Sequence, residues 1–321
     1  IKNIILLEKN NMKISIIIPI FNEEDSIGIL VKKIEDLDQV MSKINMQIIL
    51  VNDGSTDKSL SIINKLSYNN NKVESIHFER NYGQTAAISA GIELASGDII
   101  IPMDADLQND PDDIPKLIEK IEEGYDVVSG WRKIRKDDFF FRTFPSLIAN
   151  WLISKISGVK LNDYGCTLKA YKKEIAKGLQ LYGEMHRFIP VFAVWKGAKV
   201  TEIIVTHYPR KHGKTKYGLS RTITVVFDLI LIKFMDKYLT RPGHFFGSIG
   251  LLNFVVSVLM FIAMLFFKFY LNITFIETPL PQIAILFFLV GIQSIFIGII
   301  SEILMRTYYE SQGKKTYKIK S

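Results

Sequence analysis

Two long stretches without a charged residue, both near the C-terminus, most constrain what this chain can fold into. Phe245 to Phe267 runs for 23 residues and Ile283 to Ser301 for 19. At about 1.5 Å per residue, a helix of either length crosses a hydrocarbon layer about 30 Å thick. The sequence therefore predicts two transmembrane helices, with a pair of buried core helices as the alternative.

Basic residues flank both stretches and predict their orientation. The connector from Asn272 to Pro281 carries one charge, Glu277. Lysine and arginine collect on the cytoplasmic side of membrane proteins. We therefore expect a multi-pass protein of the cell membrane, with the connector outside and the catalytic domain and both termini in the cytoplasm. The basic residues are Lys233, Lys237 and Arg241 before the first stretch, and Arg306, Lys314, Lys315, Lys318 and Lys320 after the second.

The rest of the chain divides by composition. We predict an N-terminal extension over 1–11, a catalytic domain over 12–218, amphipathic juxtamembrane helices over 219–243, a transmembrane hairpin over 244–304 and a basic tail over 305–321. The extension lacks the pattern of a signal peptide, and Met12 is a candidate start. Apolar residues at helical spacing favour juxtamembrane helices that lie in the membrane interface, although packing against the catalytic domain is the alternative.

The N-terminal part alternates between strand-like and helix-like segments. Its clearest helix is Glu24 to Leu37, where apolar residues recur every three or four positions. Alternation of this kind predicts an α/β domain with a mostly parallel sheet covered on both faces, and ligands then bind beyond the carboxyl ends of the strands. The predicted strands are Ile14–Pro19, Gln47–Asn52, Val73–Phe78, Asp98–Met103 and Asp126–Ser129.

Acidic loops follow three of these strands. They span 22–25, 53–57 and 104–108. Helix capping is an alternative explanation for Asp25 or Asp57. It explains Asp104 and Asp106 less well, because residues two apart in an extended chain point the same way and bring two carboxylates together. Such a pair favours Mg²⁺ or Mn²⁺, completed by substrate phosphates.

Two common nucleotide-binding patterns are missing from the sequence. The chain after the first strand has no G-x-G-x-x-G, which disfavours a dehydrogenase. Gly213-Lys214-Thr215 has Tyr208 where a P-loop requires glycine, which disfavours a P-loop kinase. The single cysteine, Cys166, excludes an internal disulfide, suits a reducing compartment and is expected to be a small buried side chain.

Four motifs, in their order and spacing, resemble a known family. They are SIIIPIFNEEDSI from Ser15, VNDGSTD from Val51, RNYGQTAAISAGI from Arg80 and GDIIIPMDADLQNDP from Gly97. Together they resemble the catalytic domain of family 2 glycosyltransferases, which has the GT-A fold. The further segments DYGCTLKAY, HRFIP and HYPRKHGKTKYGLSR, with the two apolar stretches, resemble the polyprenyl-phosphate glycosyltransferases, a group that includes dolichol-phosphate mannose synthases.

The resemblance implies transfer of a hexose from a UDP- or GDP-sugar to undecaprenyl or dolichyl phosphate, with inversion. A phosphate monoester is largely a dianion at neutral pH, because its second pKa is about 6, so a general base is less necessary than for a hydroxyl acceptor. The family also includes tetramers, which makes a homo-oligomer the expectation. The positive balance of 40 Lys+Arg over 33 Asp+Glu is assigned to membrane flanks and phosphate binding, and no nucleic acid is expected as a partner.

The same resemblance implies roles for individual residues. The metal-binding D-x-D motif is Asp104-Ala105-Asp106, and Asp106 and Gln108 are the expected direct ligands. Phe21 could instead pack in the core, and Gln108 could cap the next helix. The implied nucleotide-sugar pocket is formed by Pro19, Phe21, Glu23, Asp53, Asp104, Ala105 and Asp106, together with Arg210, Lys214 and Lys216 of a loop that closes over the diphosphate.

Phosphate groups are also expected at two further places. Arg132 is implied to contact phosphate, with a solvated surface charge as the alternative. Arg135, Arg142 and Asp163 are implied at the acceptor phosphate. A carboxylate there repels the acceptor unless it is protonated, binds metal or orients an arginine, and a structural turn cap is the alternative for Asp163. Near this region, His186 could bind the sugar or be a structural residue.

Two other functions stay open from the sequence. A processive polysaccharide synthase is disfavoured because the chain lacks a Q-x-x-R-W motif and has two spans only. A non-catalytic membrane protein that binds nucleotide sugars is disfavoured by the intact Asp104 and Asp106 pair.

Overall fold

The computed structural model describes residues 12–41, 44–133, 150, 153–155, 157–178, 185–209, 234, 238 and 241–311. The chain forms two compact units, Ile1–Leu229 and Ile230–Ser321. The first is the α/β unit and the second contains the two apolar helices. The domain boundaries expected at 218 and 243 stay predictions.

A seven-stranded sheet forms the centre of the first unit, in the order β3-β2-β1-β4-β6-β5-β7. Every described neighbour pair is parallel except the two made by β6, which runs antiparallel to β4 and β5. This confirms the mostly parallel α/β sheet. The strands are β1 Lys13–Ile20, β2 Asn45–Asn52, β3 Val73–His77, β4 Ile99–Pro102, β5 Val127–Trp131, β6 Lys169–Lys172 and β7 Val200–Ile204.

Helices cover both faces of this sheet. One buried cluster packs the side chains of Ile14, Ile16 and Ile18 of β1 against α1, α2 and α4. A second packs Ile17 of the same strand against α3 and later helices, as expected from alternation along a strand. The helices are α1 Ile27–Val40, α2 Ser59–Asn69, α3 Gln84–Leu94, α4 Ile114–Glu122, α5 Lys173–Lys177 and α6 Ile189–Trp195, with 3₁₀ turns at Pro111–Asp113 and Met185–Phe188.

All five predicted strands are present within a few residues of their predicted bounds. The first helix begins at Ile27 rather than at Glu24. Residues 24–26 form a turn instead, in which the N–H groups of Ser26 and Ile27 both donate to the Glu23 carbonyl, at 3.1 and 3.2 Å. Strands β6 and β7 were not predicted.

The second unit contains a pair of long helices, α7 Pro242–Tyr270 and α8 Leu280–Ser311. Both have the length and composition to cross a membrane, and only 17% and 22% of their most apolar windows are buried. This low burial argues against core helices of a soluble domain. Close packing between them uses small residues, since a Cβ on Gly250 would lie 2.9 Å from the Gly291 carbonyl oxygen. The Ser257 hydroxyl donates to the Ala284 carbonyl at 2.8 Å.

Candidate active site

The carboxyl end of β4 leads into the loop that carries Asp104 and Asp106. The chain turns there instead of staying extended, and Leu107 has a φ of 61°. The prediction that an extended chain brings the carboxylates of Asp104 and Asp106 together was therefore wrong. The two carboxylates are nevertheless close enough to interact. Burial and the charge of Asp106 raise the pKa of Asp104 to about 6, against opposing effects of Thr167, Arg132 and Lys169.

One hydrogen bond from α3 and one within the loop hold this acidic loop. From the start of α3, Gln84 Nε2 donates to Asp104 Oδ1 at 2.7 Å. Within the loop, Asp106 Oδ1 accepts from the Gln108 N–H at 3.1 Å. Asp106 is 8% exposed and Ala105 is buried, whereas Asp104 is half-buried. Gln84 lies in the RNYGQT motif, and its amide beside an acidic loop was a signal that the sequence reasoning missed.

Arg132, at the end of β5, forms a two-pronged ion pair with Asp163. Its Nε donates to Asp163 Oδ2 at 2.7 Å and its Nη2 to Oδ1 at 3.0 Å. Burial disfavours the arginine charge, but Asp163 outweighs this effect and raises the pKa of the guanidinium above its usual value. Arg132 is therefore not a solvated surface charge. Of the three ways to place Asp163 near a phosphate, the geometry corresponds to orienting an arginine.

Asp163 also stabilises a turn. Its Oδ1 accepts from the Gly165 N–H at 3.0 Å, so the turn-cap alternative holds together with the ion pair. Cys166, in the same turn, is 1% exposed as expected. Burial raises the pKa of its thiol to about 11, which makes it a poor nucleophile.

A lysine that was not singled out from the sequence lies beneath this turn. Lys169, the first residue of β6, is 2% exposed. Its Nζ donates to the carbonyl oxygens of Tyr164, at 3.2 Å, and Cys166. The sequence signal for this buried lysine was its place between the apolar residues Leu168 and Ala170.

The loops that follow β1 and β2 are joined by reciprocal hydrogen bonds. The Asn22 N–H donates to Ser55 Oγ at 3.1 Å, and the Glu23 N–H donates to Ser59 Oγ at 3.0 Å. Asp57 accepts from the Ser59 N–H at 2.9 Å at the start of α2, which confirms capping for this residue. Pro19, Phe21 and Glu23 are half-buried along this edge.

Asp53 is 3% exposed, and its carboxylate is engaged by the backbone. Oδ1 accepts from the Tyr82 N–H at 2.7 Å, and Oδ2 accepts from the Gly83 N–H at 3.0 Å. Burial outweighs these hydrogen bonds and raises the pKa of Asp53. Asp53 thus fixes the entrance to α3, and its contact with a nucleoside stays a prediction.

Gln108 connects the acidic loop to the segment after β7. Its Nε2 donates to the Tyr208 carbonyl at 3.3 Å, and the Tyr208 N–H donates to the Gln108 carbonyl at 2.9 Å. The next helical turn is capped by Asp110, not by Gln108. This pairing places Pro209, the start of the basic segment, beside the acidic loop. Arg210, Lys214, Lys216, Arg135 and Arg142 lie outside the described residues.

His186 is buried and hydrogen-bonded, as the structural alternative predicts. It is 7% exposed, and its Nδ1 lies 2.7 Å from the hydroxyl of Thr85 in α3. Burial, together with the charges of Arg187 and Lys169, lowers the pKa of the ring to about 3. The ring is therefore neutral at physiological pH.

The donor set fits a hard divalent cation that is completed by substrate. Two neighbouring carboxylates, one with a pKa raised by the other, are stabilised by an added positive charge. In the described part of the chain, no three His, Cys, Asp or Glu side chains group closely enough to hold a metal ion. Mg²⁺ is commonly bound by one or two carboxylates together with phosphates, so this number of protein ligands is sufficient.

Comparison with known proteins identifies the family to which this site belongs. A family model described as glycosyl transferase family 2 matches residues 15–187. The chain is 42% identical over 316 residues to dodecaprenyl-phosphate galacturonate synthase of Rhizobium johnstonii, covering 97% of this chain and 93% of that protein. It is 35% identical over 315 residues to undecaprenyl-phosphate 4-deoxy-4-formamido-L-arabinose transferase of Edwardsiella ictaluri, covering 96% and 93%.

Solved structures establish the fold. Glucosyl-3-phosphoglycerate synthase from Mycobacterium tuberculosis, in complex with Mn²⁺, UDP and glucosyl-3-phosphoglycerate, superposes with a TM-score of 0.55 at 16% identity. The match covers 70% of this chain and 80% of that one. Fold, family model and full-length relatives agree, and the chain belongs to glycosyl transferase family 2, with a GT-A fold.

Proposed function

We propose that this protein is a membrane-anchored transferase that moves a sugar from a nucleotide diphosphate sugar to the phosphate of a polyprenyl phosphate. The observation that carries the proposal is the combination of an acidic D-x-D loop with a half-buried, carboxylate-oriented arginine at the carboxyl ends of the strands. Full-length similarity to transferases named for polyprenyl phosphates supports the acceptor class.

The chemistry requires that two anionic substrates be held together. Breaking the bond between sugar and diphosphate develops negative charge on the leaving group, and cations stabilise that charge. Arg132 is a fixed cation directly after β5, because Asp163 holds its guanidinium in one orientation. We assign Arg132 to a phosphate and Asp163 to the orientation of Arg132.

Asp104 and Asp106 would hold Mg²⁺ or Mn²⁺, with Gln108 as the third candidate ligand. When bound, the cation would neutralise charge on the leaving diphosphate. The similarity to a Mn²⁺ complex supports a divalent ion, and we propose either metal. The nucleotide pocket is assigned to Pro19, Phe21, Glu23 and Asp53 along the joined loops.

Arg210, Lys214 and Lys216 are proposed to bind the diphosphate. Support comes from the pairing of Gln108 with Tyr208, because the chain enters its basic segment directly beside the acidic loop. Arg135 and Arg142 follow Arg132 in sequence and are assigned to the acceptor phosphate.

The experiment that tests the proposal offers the purified protein a panel of donors. Protein in detergent with Mn²⁺ and undecaprenyl phosphate is mixed with labelled nucleotide sugars, and label extracted into the organic phase is counted. The relatives' names cover galacturonate and a 4-deoxy-4-formamido pentose, so the panel includes both with common hexoses. Asp106→Ala is the negative control. Absence of lipid-extractable label with every donor would contradict the proposal.

A further inference from the structure

A buried ammonium group lies at the active-site edge without a role in the chemistry assigned above. Lys169 begins β6, where it pairs with Ser129 of β5, and is 2% exposed. Burying a charge is costly unless hydrogen bonds and opposite charges compensate. Its position therefore needs an explanation from its contacts.

These contacts are with a single turn. Nζ of Lys169 donates to the carbonyl oxygens of Tyr164 and Cys166. The turn over 163–168 contacts both the arginine and the end of the acidic loop. Asp163 accepts from Arg132 Nε at 2.7 Å and from its Nη2 at 3.0 Å, and Cys166 Sγ lies 3.9 Å from Oδ1 of Asn109, the residue after the acidic loop.

The balance of charges near the carboxyl ends of β4 and β5 also favours a second cation. Three carboxylates lie here, on Asp104, Asp106 and Asp163, and Arg132 offsets one of them. Burial lowers the pKa of Lys169 to about 8, while its attraction to Asp163 and Asp104 opposes that shift. The residue therefore stays charged at neutral pH and compensates part of the remaining negative charge.

We propose that Lys169 is a positioning residue, which fixes the 163–168 turn through two backbone carbonyls and so positions both Arg132 and the acidic loop for the diphosphate. This inference rests on the proposed function. Lys169 acts through these two groups and does not touch the reacting atoms.

The test compares matched substitutions on one strand. Lys169→Met removes the donor and the charge, and we expect kcat to fall about 10- to 100-fold, as for other supporting residues of metal and phosphate sites. The KM for the nucleotide sugar should change much less than kcat, because negative charge develops on the diphosphate in the transition state. Lys169→Arg should restore most of kcat. Lys172→Met, on the same strand but paired with Asp126, is the control and should leave kcat unchanged.

A second measurement follows the turn itself by hydrogen exchange and mass spectrometry. Amides of 163–168 should exchange faster in Lys169→Met and at the wild-type rate in Lys172→Met. If Lys169→Met does not fold, Lys169→Gln, which keeps an N–H donor without the charge, should show the same loss of kcat.

A wild-type kcat in the neutral variants, equal losses in Lys169→Met and Lys172→Met, or no rescue by Lys169→Arg would overturn the inference. Failure of the proposed function is distinguishable. In that case the wild type would transfer no sugar, while the exchange measurement would still test Lys169, and unchanged exchange in Lys169→Met would contradict its role.

Discussion

Asp163 is a negative charge placed where two phosphates are proposed to meet. Its carboxylate is nevertheless engaged within the protein, because Arg132 and the Gly165 N–H both donate hydrogen bonds to it. Arg132 is thus the member of this pair that we propose for the phosphate. At the scale of single residues, the described cations Arg132 and Lys169 are held in place by buried acceptors.

Asp163→Asn should destabilise the catalytic unit strongly, because it leaves the guanidinium of Arg132 without its counter-charge. Breaking a buried pair in this way costs about 3–5 kcal/mol. Asp126→Asn is the matched control, since its ion pair with Lys172 is more exposed than that of Asp163 and is worth about 1 kcal/mol or less. Urea unfolding followed by tryptophan fluorescence measures both. Equal losses would contradict the assignment of a buried pair.

His186 should make folding stability fall as the pH falls. Its pKa is about 3 in the folded protein and about 6.5 in an unfolded chain, so between these values only the unfolded chain gains the proton. Between pH 7 and pH 5 this term costs about 2 kcal/mol. His186→Gln should remove most of that loss, whereas His77→Gln, at an exposed position where burial also lowers the pKa, should remove a smaller part. Urea unfolding at both pH values gives the comparison.

At the scale of elements, the sequence was sufficient to predict those strands, helices and loops that depend on a local pattern of residues. The five strands and the first helix follow from apolar periodicity, and the acidic loops follow from their position after strands. β6 was missed because its four residues include two lysines, one of them buried. The partner of Asp163 was missed because Arg132 is 31 residues away and meets it only after the sheet forms.

Capping of α2 by Asp57 gives a test at this scale. Burial disfavours the charge, but hydrogen bonds from Ser59 and Glu24 outweigh it and lower the pKa of Asp57. Asp57→Ala should therefore cost about 1 kcal/mol at pH 7. This stabilisation is complete above the unfolded carboxyl pKa of about 4 and is lost as the pH falls through the lower folded value. Asp25→Ala, at an exposed position, should have little effect in the same thermal unfolding assay.

The packing of helices α7 and α8 gives a second test at this scale. A side chain on Gly250 would lie 2.8 Å from Ile295 Cγ1, so Gly250→Val should force α7 and α8 apart at a cost of about 1–3 kcal/mol. Gly247→Val is the control, because no heavy atom lies within 4 Å of its added Cβ. Unfolding by SDS titration, followed by circular dichroism, should separate the two. Equal behaviour would argue against tight packing at Gly250.

For the whole molecule, the proposed topology places the connector outside the cell and the catalytic unit in the cytoplasm. Ile276→Cys in the connector and Tyr68→Cys in α2 introduce thiols at positions that are 96% and 92% exposed. A membrane-impermeant maleimide should label the first in intact cells and the second only after permeabilisation. The buried Cys166 should give little background. The opposite labelling would reverse the topology, and mass photometry of the same samples would check the expected tetramer.

Among the described strands, β6 alone is antiparallel to its neighbours, and this bears on how the enzyme could diversify. Because β6 runs against its neighbours, its first residue, Lys169, reaches the edge where β4 and β5 end. Apart from the basic segment at 210–216, the residues proposed to bind the nucleotide lie before residue 110, whereas Arg135 and Arg142, assigned to the acceptor phosphate, lie between Arg132 and the 163–168 turn. Substitutions confined to the sequence between Arg132 and that turn are therefore expected to change the choice of lipid acceptor and leave the nucleotide pocket intact.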